Sequence, residues 1–253
     1  HEKYGMLSVR DIIKVSSNIG IYKVGKKLGR KDFAETVEKF GFGRKTGIDY
    51  PGEVSGFIRA SKNWQEIDFA NITFGQGLRV TPLQLASAYA TIANGGMLVE
   101  PRLVLGTRDA AGAFHAAPAS EPQRVVSEQT STWLRSVLRS VVEEGTGVRA
   151  DVAGLQIAGK TGTAQVRALT EANRGRHFST IEWRYRDNAL FCCFGPWREP
   201  RYACAVIVEH GGAGSAVAGP IAREIMKATL TRDPARRAAA RLATLEPQTP
   251  VRA

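Results

Sequence analysis

The stretch LQIAGKTGTAQV, residues 155–166, decides how this chain is read. Its pattern predicts a strand, yet Lys160 sits in its middle and Thr161-Gly162-Thr163 follow at once. Strand interiors disfavour glycine, which adds entropy cost and no packing. A glycine here implies that something approaches the backbone closely, and Lys160 implies that it carries negative charge. Lys160 offers a point charge to a carboxylate, and Thr161 a neighbouring hydroxyl donor. Gly162 lets an extended ligand lie along the strand, and the Thr163 N–H can serve as an oxyanion donor. An edge-strand lysine beside a glycine bulge accounts for the tripeptide alone equally well, because short motifs recur by chance.

Two further strands follow: NALFCCFG (188–195) and RYACAVIVE (201–209), joined by the short hairpin-like PWREP. GPIAREIMKATL (219–230) closes the pattern as a helix. Upstream the chain reads as mainly helical. Ser16-Ser17-Asn18 is a polar break between two helical patterns and supplies a helix stop and N-cap. Phe33, Val37 and Phe40 share one helix face, with Gly41 at C′. Residues 43–57 form a Gly/Pro-rich connector. Thr81 caps the next helix with Pro82 at N1 and Gly95 at its end. PRLVL (101–105) reads as a strand and residues 108–122 as a loop. Ser127 caps a long helix with an apolar stripe of Trp133, Leu134, Val137, Leu138, Val141 and Val142.

Helices followed by consecutive strands and a terminal helix predict an α+β fold, an antiparallel sheet packed with helices. Residues 1–231 are expected to form one domain, and 232–253 a basic, disordered tail. Residues 167–187 make a long excursion carrying Arg167, Arg174, Arg176, Arg184 and Arg186; it is expected to lie beside the site and bind an anionic precursor.

Composition narrows the function classes. The 253 residues are 43 % hydrophobic and 23 % charged, as in ordinary globular domains, with net charge +11. That excess suits anionic partners of any kind. No arginine–aromatic motif of a known nucleic-acid module is present, so no nucleic acid is expected. No apolar run approaches the length of a membrane span. The three cysteines, Cys192, Cys193 and Cys204, lie on strand-like segments and argue for buried free thiols rather than a disulfide framework. The four histidines are scattered without ligand spacing, so no metal and no cofactor is expected.

Ser-Ser-Asn followed, after a largely helical span, by Lys-Thr-Gly is the order in which penicillin-binding proteins and related β-lactamases carry two of their three active-site elements. KVSSNIG, FGFGRKTGIDYPGE, FGQGLRVTPLQLASAYATIANGG, EEGTGVRA and AGKTGTAQ extend that match over most of residues 5–230. On these segments the chain resembles the transpeptidase domain of a class B penicillin-binding protein. SSNIG is similar to the division-type enzymes, and residues 188–216 to the elongation-type enzymes.

The resemblance implies a penicillin-binding-protein/serine β-lactamase-like transpeptidase fold and a peptidoglycan D,D-transpeptidase. Its serine acyl-enzyme would cross-link stem peptides ending in D-Ala-D-Ala, with β-lactams as inhibitors. It further implies an upstream anchor in the inner membrane, a periplasmic location and a membrane glycosyltransferase partner. Carried over, the catalytic residues are Ser16 (proton relay), Asn18 (amide binding), Lys160 and Thr163 (oxyanion N–H). Lys160, Thr161, Gly162 and Thr163 are the substrate-binding residues.

One element is absent. No serine is followed three residues on by lysine; Thr36 and Lys39 have the spacing but lie inside an amphipathic helix, after Ser-Ser-Asn. In the family the Ser-x-x-Lys nucleophile lies upstream of Ser-x-Asn. The fold is therefore expected to be N-terminally incomplete, the nucleophile to lie outside this chain, and the chain alone to be inactive. The apolar faces around Phe33, Val137 and Leu138 are expected to lack a partner. The alternatives are a non-catalytic penicillin-binding-like module that recognises peptidoglycan, or a β-lactamase or D,D-carboxypeptidase.

Overall fold

The structure is a computed structural model and describes residues 4–166 and 180–237. Its centre is a three-stranded antiparallel sheet in the order β5-β6-β7: β5 Ala158–Ala164, β6 Asn188–Gly195 and β7 Tyr202–Val208. The register pairs Lys160 with Cys192, Gly162 with Leu190, and Cys193 with Cys204. The α+β expectation is met, and the KTGT strand stands at the sheet's edge among the described residues.

The helices that accompany this sheet among the described residues are α1 Val9–Lys14, α2 Asn18–Leu28, α3 Arg30–Lys39, α4 Glu66–Thr73, α5 Pro82–Ala93, α6 Glu128–Glu144 and α7 Ala218–Arg232, of which α5, α6 and α7 pack on the sheet. Caps set their starts. Ser17 Oγ accepts from Gly20 N to open α2, Thr81 and Gln84 close a capping box on α5, and Ser127 accepts from Thr130 N to open α6.

Burial of β6 organises the main core. Phe191, Cys193 and Val206 pack with Ala218, Ala222 and Met226 of α7 and with Val142 of α6. The opposite set, Ala158 and Phe194, packs with Leu138 of α6 and Tyr89 and Ile92 of α5. The strand alternation is thus buried on both faces, as a sheet between helices requires. A second cluster joins α3 and α4. Phe33 meets Trp64 and Phe69 edge-on at 6.3 and 5.7 Å between ring centroids, and Trp64 stacks on Phe69 at 6.0 Å.

Several expectations are corrected. Val137 is fully buried and Leu138 5 % exposed, and Phe33 packs into the aromatic cluster, so these faces have partners. Trp133 leaves the α6 stripe and is exposed, because the first turns of α6 turn Ser131 inward instead, its Oγ donating to Ile92 O at 2.6 Å. Pro101–Leu105 is not a strand. Pairing falls on either side of it: β1 Met97–Leu98 with β4 Gln123–Arg124, and β2 Gly106–Arg108 with β3 Phe114–Ala116. The β2–β3 hairpin occupies residues read as a loop, its turn held by Asp109 Oδ1 accepting from Ala111 N and Ala113 N. The helix α4 has too few turns to show a period in the sequence.

At the carboxyl end α7 runs through Arg232, one residue past the expected domain boundary. Asp233 then anchors the chain to β7 through Arg201 and the Tyr202 hydroxyl. Most of the expected tail, residues 238–253, lies outside the described residues.

Phe191 joins β6 to α6 and α7 with no exposure. Phe191→Ala is expected to lower stability by about 3–5 kcal/mol, read as a shift of the urea midpoint at unchanged slope.

Candidate active site

The break at Ser16-Ser17 is the first component. The α1 helix ends at Lys14, and Ser16 takes a left-handed backbone at φ 59°. Such a conformation is uncommon outside glycine, and it reverses the chain so that Ser17 caps α2 with Asn18 as its first residue. The α1 helix is held against α6 by Arg10 Nη2 donating to Ser136 Oγ at 2.8 Å and by Lys14 bridging Asp11 and Glu144, both at 3.3 Å.

Strand β5 is the second. Lys160 Nζ donates to Ser16 Oγ at 2.9 Å and to Thr161 O at 3.1 Å. No carboxylate pairs with it among the described residues. Burial without a compensating negative charge disfavours the ammonium, and the Lys160 pKa is pushed down to about 8.

Thr161 O accepts from Lys160, and Thr163 O accepts from Gln76 Nε2 at 3.3 Å. Both carbonyls therefore point away from β6. In an antiparallel strand a residue's N–H and C=O point to the same side, so the Thr163 N–H lies on this outer edge too.

The edge opens onto a groove of about 310 Å³ lined by Ser16, Asn18, Phe74, Thr161, Gly162 and Thr163, among others. Every residue singled out from the sequence as a site residue borders this groove or, for Lys160, hydrogen-bonds into it. What each does is a separate matter, taken up below.

Two residues here were not read from the sequence as belonging to the site, and a third ends the excursion expected beside it. Thr146, in the turn after α6, shares a 2.8 Å hydrogen bond with the Thr161 hydroxyl, while its N–H reaches Lys14 O at 3.4 Å. It ties the end of α1 to β5. EEGTGVRA and FGQG stood out as segments, but nothing in them assigns Thr146 or Gln76 to this strand. Asp187 lines the same groove; burial pushes its carboxyl pKa up, against a hydrogen bond from Val166 N–H.

The arginine-rich excursion is described only at its end. Arg184 bridges Glu182 at 2.9 Å, and Arg186 Nε donates to Ile181 O at 2.9 Å, so both are engaged locally. Residues 167–179, with Arg167, Arg174 and Arg176, lie outside the described residues. Thr36 is no nucleophile candidate in this groove: its hydroxyl bonds back to Asp32 O within α3.

The rear of β5 is closed by backbone. Gly214, in the loop after β7, lies so near that a Cβ there would overlap Gly162 O and Leu190 O. On α6, Arg139 bonds Asp151 at 2.8 Å and Ile157 O at 2.7 Å, fixing the approach to the strand.

Comparison with known proteins agrees with this architecture. Residues 1–227 match the penicillin binding protein transpeptidase domain. The penicillin-binding protein PbpB of Mycolicibacterium smegmatis is 36 % identical over 230 residues, covering 86 % of this chain and 34 % of the relative. The probable peptidoglycan D,D-transpeptidase PenA of Neisseria meningitidis is 32 % identical over 235 residues, covering 90 % of this chain and 36 % of its own length. Penicillin binding protein 3 of Mycobacterium tuberculosis, solved with aztreonam, superposes with a TM-score of 0.78 at 31 % identity, covering 92 % of this chain and 53 % of that one. The chain belongs to the family of class B penicillin-binding protein transpeptidase domains. It spans about a third of the length of the curated relatives it matches.

The lowered Lys160 pKa gives a sign that can be measured. The folded amine releases its proton near pH 8, whereas an unfolded lysine holds it to 10.5. Between those values the unfolded chain binds more protons, so stability rises with pH. Relative to Lys160→Met, the protein is expected to gain stability from pH 8 to 10.5 and to lose that gain as pH falls through 8. NMR of lysine labelled at the ε position is expected to show a resonance titrating near 8 that is missing from the variant.

Proposed function

We propose that this chain provides the substrate-binding and proton-relay side of a serine-type peptidoglycan D,D-transpeptidase site. The observation that carries the reading is the 2.9 Å hydrogen bond from Lys160 to Ser16, which joins the Lys-Thr-Gly strand to the Ser-Ser-Asn turn across 144 residues.

The substrate is a stem peptide ending in D-Ala-D-Ala. It lies extended along the outer edge of β5, where Gly162 presents no side chain. Lys160 and the Thr161 hydroxyl take its terminal carboxylate, and the Asn18 amide takes a substrate amide. The attacking serine comes from polypeptide outside residues 1–253. Its oxygen adds to the penultimate carbonyl, and the Thr163 N–H holds the resulting oxyanion.

Ser16 relays the proton, with Lys160 beside it able to give up or take up a proton near pH 8. Collapse expels D-alanine and leaves an acyl-enzyme. The amine of a neighbouring stem then attacks the acyl carbon, forms the cross-link and frees the serine. β-Lactams enter by the same route and stop at the acyl-enzyme.

Among the described residues no helix is long and apolar enough to cross a membrane. The whole protein is proposed to act at the outer face of the inner membrane, beside a membrane glycosyltransferase.

The test is labelling by a fluorescent penicillin on a denaturing gel. The chain 1–253 is expected to give no band and the protein at its full encoded length a strong one. Lys160→Met at full length is expected to slow labelling by about 10²–10⁴-fold, the range for a lost proton-transfer group. A band from 1–253 alone overturns the placement of the nucleophile. No band at full length overturns the catalytic reading in favour of a recognition module.

A further inference from the structure

The transpeptidase reading leaves the three cysteines unused. Their placement is uneven. Cys192 and Cys193 are neighbours on β6 and so face opposite sides of the sheet. Cys193 lies in the main core with no exposure and stands directly across from Cys204 of β7 in the register. Cys204 is half-buried and packs against the same core. The two thiols share a hydrogen bond.

Directly opposed residues of an antiparallel pair have Cα atoms about 4.5–5.5 Å apart and Cβ atoms about 4.5–5.5 Å apart. A disulfide spans Cα separations of about 4.4–6.8 Å and Cβ separations of about 3.5–4.5 Å. Closure therefore needs the two Cβ atoms to approach by roughly 1 Å at most, with no change of register. Room exists on the other flank: Gly159, the partner of Cys193 on β5, would bring a Cβ to 2.7 Å from the Cys193 Cβ if it had one.

We propose that Cys193 and Cys204 are a redox modification site that closes a reversible cross-strand disulfide in the row next to Lys160. Cys204 starts the reaction, since it is the more accessible of the two and the hydrogen bond from Cys193 holds its thiol pKa down. The same hydrogen bond and burial push Cys193 up, so it stays protonated. The Cys204 thiolate attacks an oxidant disulfide and releases one thiolate. Once Cys204 is in the mixed disulfide, Cys193 loses its proton and its thiolate attacks the Cys204 sulfur; the S–S bond to the oxidant breaks, and the departing thiolate takes up the proton. Two protein thiols are oxidised and one small-molecule or protein disulfide is reduced to two thiols. A periplasmic location, which rests on the proposed function, supplies such oxidants; the chemistry itself does not depend on that reading.

The protein at its full encoded length is incubated with oxidised glutathione in the native state, acid-quenched, unfolded and alkylated. Trypsin cuts at Arg198 and Arg201, so the two cysteine peptides separate unless a disulfide joins them. The expected result is a linked Cys193–Cys204 peptide with Cys192 alkylated, and all three alkylated after dithiothreitol. Cys204→Ser is expected to abolish the link and leave Cys192 and Cys193 both alkylated. Cys193→Ala, which is smaller than the core residue it replaces, is expected to trap glutathione on Cys204; if that variant does not fold, Cys204→Ser decides. Three alkylated cysteines after oxidation overturn the proposal. So does a link that includes Cys192, or glutathione standing on Cys204 while Cys193 remains a thiol.

Discussion

The structure turns on a partly buried amine with no carboxylate partner among the described residues. Lys160 is satisfied by neutral oxygens, Ser16 Oγ and Thr161 O. Burying an uncompensated charge is costly, and that cost leaves the amine half-willing to lose its proton. The rest of the fold holds this arrangement in place. The α6 helix braces α1 on one side and, through Arg139, the approach to β5 on the other. Thr146 completes the connection between them. Lose the bracing and Lys160 regains water, and with water its ordinary pKa.

The two halves contribute differently. The sheet and α7 give a core built on Phe191, Phe194 and Met226, packed close enough that β5 cannot shift freely. The helical half gives a turn, Ser16 at a positive φ, whose position depends on the capping of α2 and the anchoring of α1. A site assembled from a rigid strand and a reversed helix-to-helix turn places a hydroxyl, an amide and an amine around one groove without spending a loop on any of them.

Much of this was legible in the sequence, for identifiable reasons. The strands 188–195 and 202–208 announce themselves by apolar runs bounded by turn residues, and six of the helices by their caps, breaks and apolar pattern. Ser16, Asn18 and the Lys-Thr-Gly strand stood out because small polar residues break otherwise apolar patterns. What stayed hidden depends on tertiary neighbours. Thr146 and Gln76 act through single hydrogen bonds to a strand far along the chain, which no local pattern encodes. The hairpin at 106–116 is short and exposed, so its residues carry no alternation. Trp133 looked like core because period alone cannot say where a neighbouring surface ends.

Gly214 has a consequence for how the groove responds to load. Its backbone lies directly behind Gly162, with no side chain between the two. A force on the outer edge of β5 meets two main chains in contact, without the rotamer freedom by which side chains yield. Close-packed protein has low compressibility, so the strand behaves as a backed beam rather than a free one. Displacement of the Thr163 N–H along with the strand is suppressed, and it is suppressed by the loop that leads into α7.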